Sequence, residues 1–310
     1  MIKITGADLS LEACARVASK GEQVALDESA RNKMGESRDF ILELLKKGER
    51  VYGVTTGFGR LAEVLVPEAD REDLQHNLIR SHSSGVGHSM TAKEVRTIML
   101  LRVNSLARGH SGCRDVVVDL LIEFLNQGVH PVVPQYGSVG ASGDLAPLAH
   151  IGLALIGEGE VEYKEEIRPS LAVLEEIQSA PLRLKEKEGL ALINGTQATT
   201  GLGILTFLGA QRALDTAEVA GAMSLEALKG TPDPFMKEVQ LARPHEGQIE
   251  SAEKLRQLLR DSEIRESHRE NDKRVQDPYC LRCMPQVHGA ARSVMKYVRE
   301  VLQIEANSTT

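Results

Sequence analysis

Apolar residues along this chain recur at intervals of three and four far more than they alternate, which predicts helix after helix. A stretch that opens at Asp27-Glu28-Ser29 and ends ILELLKKG reads as a helix stopped by Gly48. Thr91-Ala92-Lys93-Glu94 has the form of a capping box ahead of IMLLRVNSLA. Residues 114–126 (RDVVVDLLIEFLN) carry the same period, with Gly128 following, and another apolar helix starts after Asp144. Residues 196–229 hold no breaker except small glycines and read as one long, mostly buried helix. A last helix runs from about Gln286 through VMKYVREVLQIEAN. Strand signals are short: Met1–Thr5, Val51–Thr55 and Val161–Tyr163. The expected fold is mainly α, with small β elements in the N-terminal part. Residues 249–274 carry both charge signs densely and are expected to be solvated. At the other end the helical pattern reaches Asn307 and stops at Ser-Thr-Thr with no closing cap, so the chain reads as cut rather than finished.

Composition narrows the classes. The 310 residues include five Phe, five Tyr and no Trp, so Leu, Val, Ile, Ala and Met must build the core, as suits helices. Formal net charge is −7 and no Lys/Arg block stands out, which argues against a nucleic-acid footprint. No apolar run approaches the ~18 residues of a membrane span, and MIKITGADLS has no signal-peptide apolar region. Four Cys make no disulfide framework at this length. A cytoplasmic protein with no membrane partner is expected.

The segment GSVGASGDLAPLAHIGLALIGEG, 137–159, carries the most chemistry. Gly137, Gly140 and Gly143 stand three apart before a helix start, as in a phosphate-cradling loop, but neither GK[ST] nor G-x-G-x-x-G is present. A plain Gly-rich turn is the bland alternative. The third reading is covalent. The amide nitrogen of Gly143 can attack the carbonyl carbon of Ala141, since glycine has no Cβ to block the approach. Loss of water closes an imidazolone, and loss of a second water from Ser142 leaves an exocyclic methylene. The product is 4-methylidene-imidazol-5-one (MIO), an electrophile made from Ala141-Ser142-Gly143 with no external cofactor. Elsewhere Cys280-x-x-Cys283 lacks a second pair for zinc, His76, His82 and His88 do not share a helix face, and no HExxH or G-x-S-x-G occurs. No metal is expected.

GSVGASGDLAPLAH resembles the signature of the aromatic amino acid ammonia-lyases, which make MIO from this tripeptide. VYGVTTGFG (51–59) resembles the family segment with the catalytic tyrosine, at Tyr52, and NLIRSHSSGVG (77–87) its substrate-selectivity segment. LINGTQ (192–197) carries the family asparagine at Asn194, and QDPYCLRCMPQVHGA (276–290) the substrate-binding Gln276, Tyr279 and Arg282. Five segments in family order span nearly the whole chain. The pair Ser81-His82 resembles the histidine-specific members, where phenylalanine enzymes carry an apolar pair and tyrosine enzymes His-Leu. Either tautomer of His82 could meet an imidazole substrate, which offers one donor and one acceptor.

The resemblance implies a long-helix bundle fold, ammonia-lyase/fumarase-like and incomplete at the C-terminus. It implies an MIO-bearing region over 1–195 and the first part of the central bundle over 196–310. It implies non-oxidative deamination of L-histidine to trans-urocanate and ammonia, Tyr52 as the base, Arg282 on the substrate carboxylate and Asn194 at the MIO oxygen or the amine. Family members are homotetramers, and longer than this chain. Apolar residues at Val294, Val298, Val301 and Leu302 are therefore expected to leave an open face, with self-association and little or no activity. The competing expectations are a helical fragment that only assembles, and an MIO lyase or aminomutase for another aromatic amino acid.

Overall fold

The computed structural model describes residues 1–139 and 143–309. It is mostly helical, and its described residues divide into two compact units: Met1–Leu205 with Leu302–Thr310, and Thr206–Val301.

In the first unit β1 (Ile2–Ile4) pairs parallel with β2 (Val24–Leu26), and α1 (Leu11–Lys20) connects them. Ser10 caps α1 through its hydroxyl, and Gly21 ends it in the left-handed region at φ 62°. The predicted helix between Asp27 and Gly48 is α2 (Glu28–Lys47), with both residues in their capping roles. Next come α3 (Arg71–His82), β3 (Val86–Ser89) and α4 (Ala92–Ala107). The Thr91/Glu94 capping box forms at the start of α4, and every residue from Val95 to Ala107 is buried. A helix buried on all faces is the hub of its domain, and α1, α2 and α5 (Asp115–Gln127) pack on this one. Arg96 of α4 donates to the carbonyls of Val17 (2.9 Å) and Leu125 (2.8 Å), in the last turns of α1 and α5. Its charge thus meets the negative ends of two helices.

Beyond α5, β4 (His130–Pro131) and β5 (Pro134–Tyr136) lead to α6 (Leu145–Leu155). The hairpin β6 (Glu160–Tyr163) and β7 (Glu166–Pro169) extends β4 antiparallel, and β5 pairs with β3. Then α7 (Ser170–Glu176) and α8 (Glu188–Ile193) precede α9 (Gln197–Ala227). Residues 51–55 form a turn, where the sequence predicted a strand. The N–H groups of Val54 and Thr55 converge on the Val51 carbonyl at 3.1 and 3.0 Å. The Thr55 hydroxyl accepts from Val51 N–H (2.9 Å) and donates to Glu49 O (2.7 Å). Side-chain bonds of this kind outcompete a ladder for a short segment.

The second unit holds α10 (Lys237–Leu241), α11 (Glu246–Leu258), α12 (Glu263–Glu266), α13 (Tyr279–Arg282) and most of α14 (Met284–Ala306). Phe235 is fully buried among Leu225, Ala252, Leu255, Leu281 and Met284. Gly247 and Gly289 let α11 and α14 touch backbone to backbone, since a Cβ on either would collide with the other. Helix α9 is continuous as predicted but is not mostly buried. Its first turns are covered at Ala198, Ile204 and Phe207, but beyond them burial is confined to the Glu218, Ala222 and Leu225 side, and Ala210, Ala213, Thr216, Ala217, Val219, Ala220 and Met223 are exposed. On α14, Val294 and Val301 are exposed and Val298 and Leu302 half-buried, with Val287 and Tyr297 adding to the open face.

The end of α14 does have a cap, contrary to the sequence reading. The Asn307 side chain accepts from Leu9 N–H (2.8 Å) and donates to Leu9 O (2.9 Å). Asn104 Nδ2 donates to Ala306 O (2.8 Å) and Arg108 to Asn307 O (2.5 Å). The partners come from residues 199 to 298 positions upstream, which no local pattern announces. Asn307→Ala should strand the Leu9 backbone and cost ~1–3 kcal/mol, read as a lowered denaturation midpoint with unchanged slope.

His130 adds a pH dependence. Its Nε2 lies 3.3 Å from Arg96 Nη1, and burial together with that charge pushes its pKa down to about 4. The fold therefore prefers the neutral ring. That stability is complete above the unfolded value near ~6.5 and is lost as pH falls from there toward the folded value. Between pH 7 and pH 5 His130→Gln should remove roughly 1 kcal/mol of the acid destabilisation, a figure discounted for partial exposure. Melting at both pH values checks it.

Candidate active site

Tyr52, Gly143 and Asn194 line one cavity of about 450 Å3 in the first unit, together with Arg102, Lys187 and Gly195. That volume suits a small metabolite. Tyr52 stands on the 51–56 turn, half-exposed, its hydroxyl accepting from Gly59 N–H at 3.3 Å and its ring edge-on to Phe58. The turn is held from below by Gln75 of α3, which is fully buried. Gln75 Nε2 donates to Gly53 O (3.4 Å), and its Oε1 accepts from Gly189 N–H (3.0 Å) and Leu190 N–H (3.3 Å). One amide side chain thus ties the Tyr52 turn to α8, whose C-cap is Asn194. Sequence reasoning missed Gln75, because a polar residue within EDLQHNL carries no mark of burial.

Asn194 Nδ2 donates to Leu190 O at 3.1 Å, which fixes the amide at the end of α8. Gly195 follows, and its carbonyl accepts Asp144 N–H at 2.7 Å. Gly143 sits at φ +94°, and a Cβ there would collide with that same carbonyl oxygen. Only glycine fits both demands. Asp144 is buried and accepts from the Ser138 hydroxyl (2.7 Å), the Thr199 hydroxyl (2.8 Å) and Thr199 N–H (2.7 Å). The residue after Gly143 is therefore pinned to the first turn of α9. Ala141 and Ser142, the other two members of the predicted tripeptide, lie outside the described residues. The tight seat of Gly143 fits an MIO precursor, which needs its third residue held without a Cβ.

The lining is cationic. Arg102 and Lys187 contribute charge, and no carboxylate lines the cavity among the described residues. Burial pushes the Arg102 guanidinium down to about 10, so it remains charged at neutral pH. Burial also lowers Lys187, with Arg102 adding to the effect.

His82 ends α3, half-buried, and does not line this cavity. Its Nδ1 lies 2.9 Å from Leu78 O and 3.0 Å from the Ser81 hydroxyl. A carbonyl can only accept, so Nδ1 carries the proton and Nε2 of the neutral ring is an acceptor. The free choice of tautomer expected from the sequence is corrected accordingly.

Gln276, Tyr279 and Arg282 belong to the second unit. Arg282 Nε donates to Asp277 O (2.7 Å), and its guanidinium lies 4.5 Å from the Tyr279 ring centroid. Asp277, buried beneath them, accepts Thr231 N–H at 2.6 Å. Cys280 and Cys283 are free thiols. Among the described residues no group of three or more His, Cys, Asp or Glu could hold a metal, and no helix is long and apolar enough to cross a membrane.

Residues 9–310 match the sequence model of the family described as aromatic amino acid lyase. A histidine ammonia-lyase of Natranaerobius thermophilus is 47% identical over all 310 residues, which cover 61% of that protein. The chain thus spans about three fifths of the length of the curated relatives it matches. Among solved structures, tyrosine aminomutase from Streptomyces globisporus superposes with a TM-score of 0.92 at 38% identity, over 99% of this chain and 61% of that one. Histidine ammonia-lyase from Trypanosoma cruzi does so at 0.89 and 36%, over 99% and 56%. With the glycine-bound turn, the tyrosine and the asparagine in one cavity and the match running nearly end to end, the chain belongs to the aromatic amino acid lyase family.

Proposed function

We propose that this chain carries the chemistry of a histidine ammonia-lyase, a carbon-nitrogen lyase that converts L-histidine to trans-urocanate and ammonia at the head of histidine degradation. The observation that carries the reading is His82. Its Nδ1–H is committed to Leu78 O, so Nε2 presents an acceptor that matches the N–H of a substrate imidazole. The relatives named histidine ammonia-lyase at 44–47% identity support the same substrate. The likeness to tyrosine aminomutase favours a second reading, an enzyme for another aromatic amino acid. An apolar ring offers His82 no such donor, whereas a phenol carries an O–H, so tyrosine is the competitor that the substrate panel must separate.

The MIO group from Ala141-Ser142-Gly143 supplies an electrophile for the substrate amine, with no external cofactor. The chain's own residues do the rest. Tyr52 takes the β-proton through its phenolic oxygen, which accepts from the Gly59 N–H. Asn194, locked by Leu190 O, offers its amide where charge develops. Arg282 has its Nε fixed and its plane held by Tyr279, and suits bidentate binding of the carboxylate. Gln276 completes that polar group. A cytoplasmic homotetramer that draws each site from more than one subunit is part of the proposal, supported by the open apolar faces of α9 and α14.

The test is a substrate panel on the purified protein. Urocanate and ammonia should form in equal amounts from L-histidine, with L-tyrosine and L-phenylalanine poor substrates. His82→Leu should lower kcat/KM for histidine by ~2–4 kcal/mol, because the imidazole N–H loses its acceptor. An unchanged histidine preference in that variant, or turnover of tyrosine above histidine in the wild type, overturns the reading.

A further inference from the structure

We propose that Arg102 is the positioning residue for backbone cyclisation, holding Gly195 and through it the Gly143 nitrogen. The inference rests on the reading of 141–143 as the electrophile's precursor. Arg102 projects from the buried hub helix α4 and is itself only 2% exposed. Its Nη2 donates to Ala191 O in α8, and its Nη1 donates to Gln197 Oε1 (2.8 Å) in the first turn of α9. The guanidinium therefore bridges the two ends of the Asn194-Gly195-Thr196 link. Gly195 lies against it so closely that a Cβ would collide with Arg102 Nη1 and Gln197 Oε1. The opposite side of Gly195 meets Gly143, and its carbonyl holds Asp144 N–H. Gly195 is thus clamped between a fixed cation and the nucleophile's own residue.

Packing alone does not account for a cation here. Among the described residues Arg102 has no carboxylate partner and its buried Nε has no hydrogen-bond partner. A methionine would fill the space without the cost of desolvating a charge. The cyclisation explains the arrangement. The Gly143 nitrogen bonds to the Ala141 carbonyl carbon and gives up its proton to the oxygen, forming a carbinol. The carbinol hydroxyl leaves with the Ser142 N–H proton as the first water. The Ser142 α-proton and hydroxyl leave as the second, and no oxidant is needed. An amide nitrogen is a weak nucleophile, so this sequence depends on held geometry.

Intact mass of the purified chain reads the outcome without any activity assay. The wild type should be lighter than its sequence by two waters. Arg102→Met, folded by far-UV circular dichroism, should stay at its full sequence mass. Its dehydration should be about 100-fold slower, the size a ~1 Å misplacement of reacting groups produces. Arg102→Lys, which keeps the charge but cannot bridge both acceptors, should dehydrate at an intermediate rate. Gly195→Ala keeps the guanidinium but drives a methyl against its Nη1 and Gln197 Oε1, so the clamp must open and the variant should fail to dehydrate as Arg102→Met does. It decides the matter if Arg102→Met does not fold. Dehydration at the wild-type rate in either Arg102→Met or Gly195→Ala overturns the inference. A wild-type chain at full sequence mass would instead overturn the electrophile itself.

Discussion

The contact on which the site depends is backbone against backbone: Gly143, at positive φ, lies on the carbonyl of Gly195, and Asp144 N–H closes the pair at 2.7 Å. Two segments some fifty residues apart meet without a side chain between them. Everything else in the cavity follows from that meeting. Asp144 can reach the first turn of α9 because the loop is already there. Asn194 stands next to the loop because Gly195 does. A Cβ at Gly143 would force the segments apart, and no side-chain rearrangement could compensate, since the obstructing atom is the Gly195 carbonyl oxygen.

That contact is braced by buried polar side chains rather than by apolar packing. Gln75 joins the tyrosine turn to α8, and Arg102 joins α8 to α9. Arg96 does comparable work deeper in the unit, where helix-end carbonyls take the place of a carboxylate. Fully satisfied buried polar groups fix one arrangement more sharply than apolar contacts do. Arg96 and Arg102 each leave one buried nitrogen without a partner among the described residues, and that of Arg102 lies beside the candidate site.

Much of this was legible in the sequence because its signals are local. The caps at Asp27, Thr91, Gly48 and Gly128 act within four residues, and each defines a helix end in the structure. The tripeptide segment, Tyr52 and Asn194 were legible as motifs, and Tyr52, Asn194 and Gly143 do share a cavity. What failed was long-range. The Asn307 cap comes from Leu9, Asn104 and Arg108, and no pattern near residue 307 points to them. Residues 51–55 alternate like a strand, but the Thr55 hydroxyl and a left-handed Gly53 fold them into a turn. Burial of α9 was overestimated because apolar content reports what a helix could cover, not what covers it. The tautomer of His82 depends on a carbonyl one turn back, and Gln75 and Arg102 look like surface residues until the fold encloses them.

The central claim is that a Cβ-free contact between Gly143 and Gly195 builds the site. Gly143→Ala tests it most directly, with thermal unfolding and intact mass measured on one sample. The strain of an L-residue at this φ costs ~1–3 kcal/mol before the collision with the Gly195 carbonyl is counted. The account predicts a lowered melting temperature and a mass with no water lost. A Gly143→Ala protein that melts with the wild type and is still lighter by two waters would contradict it.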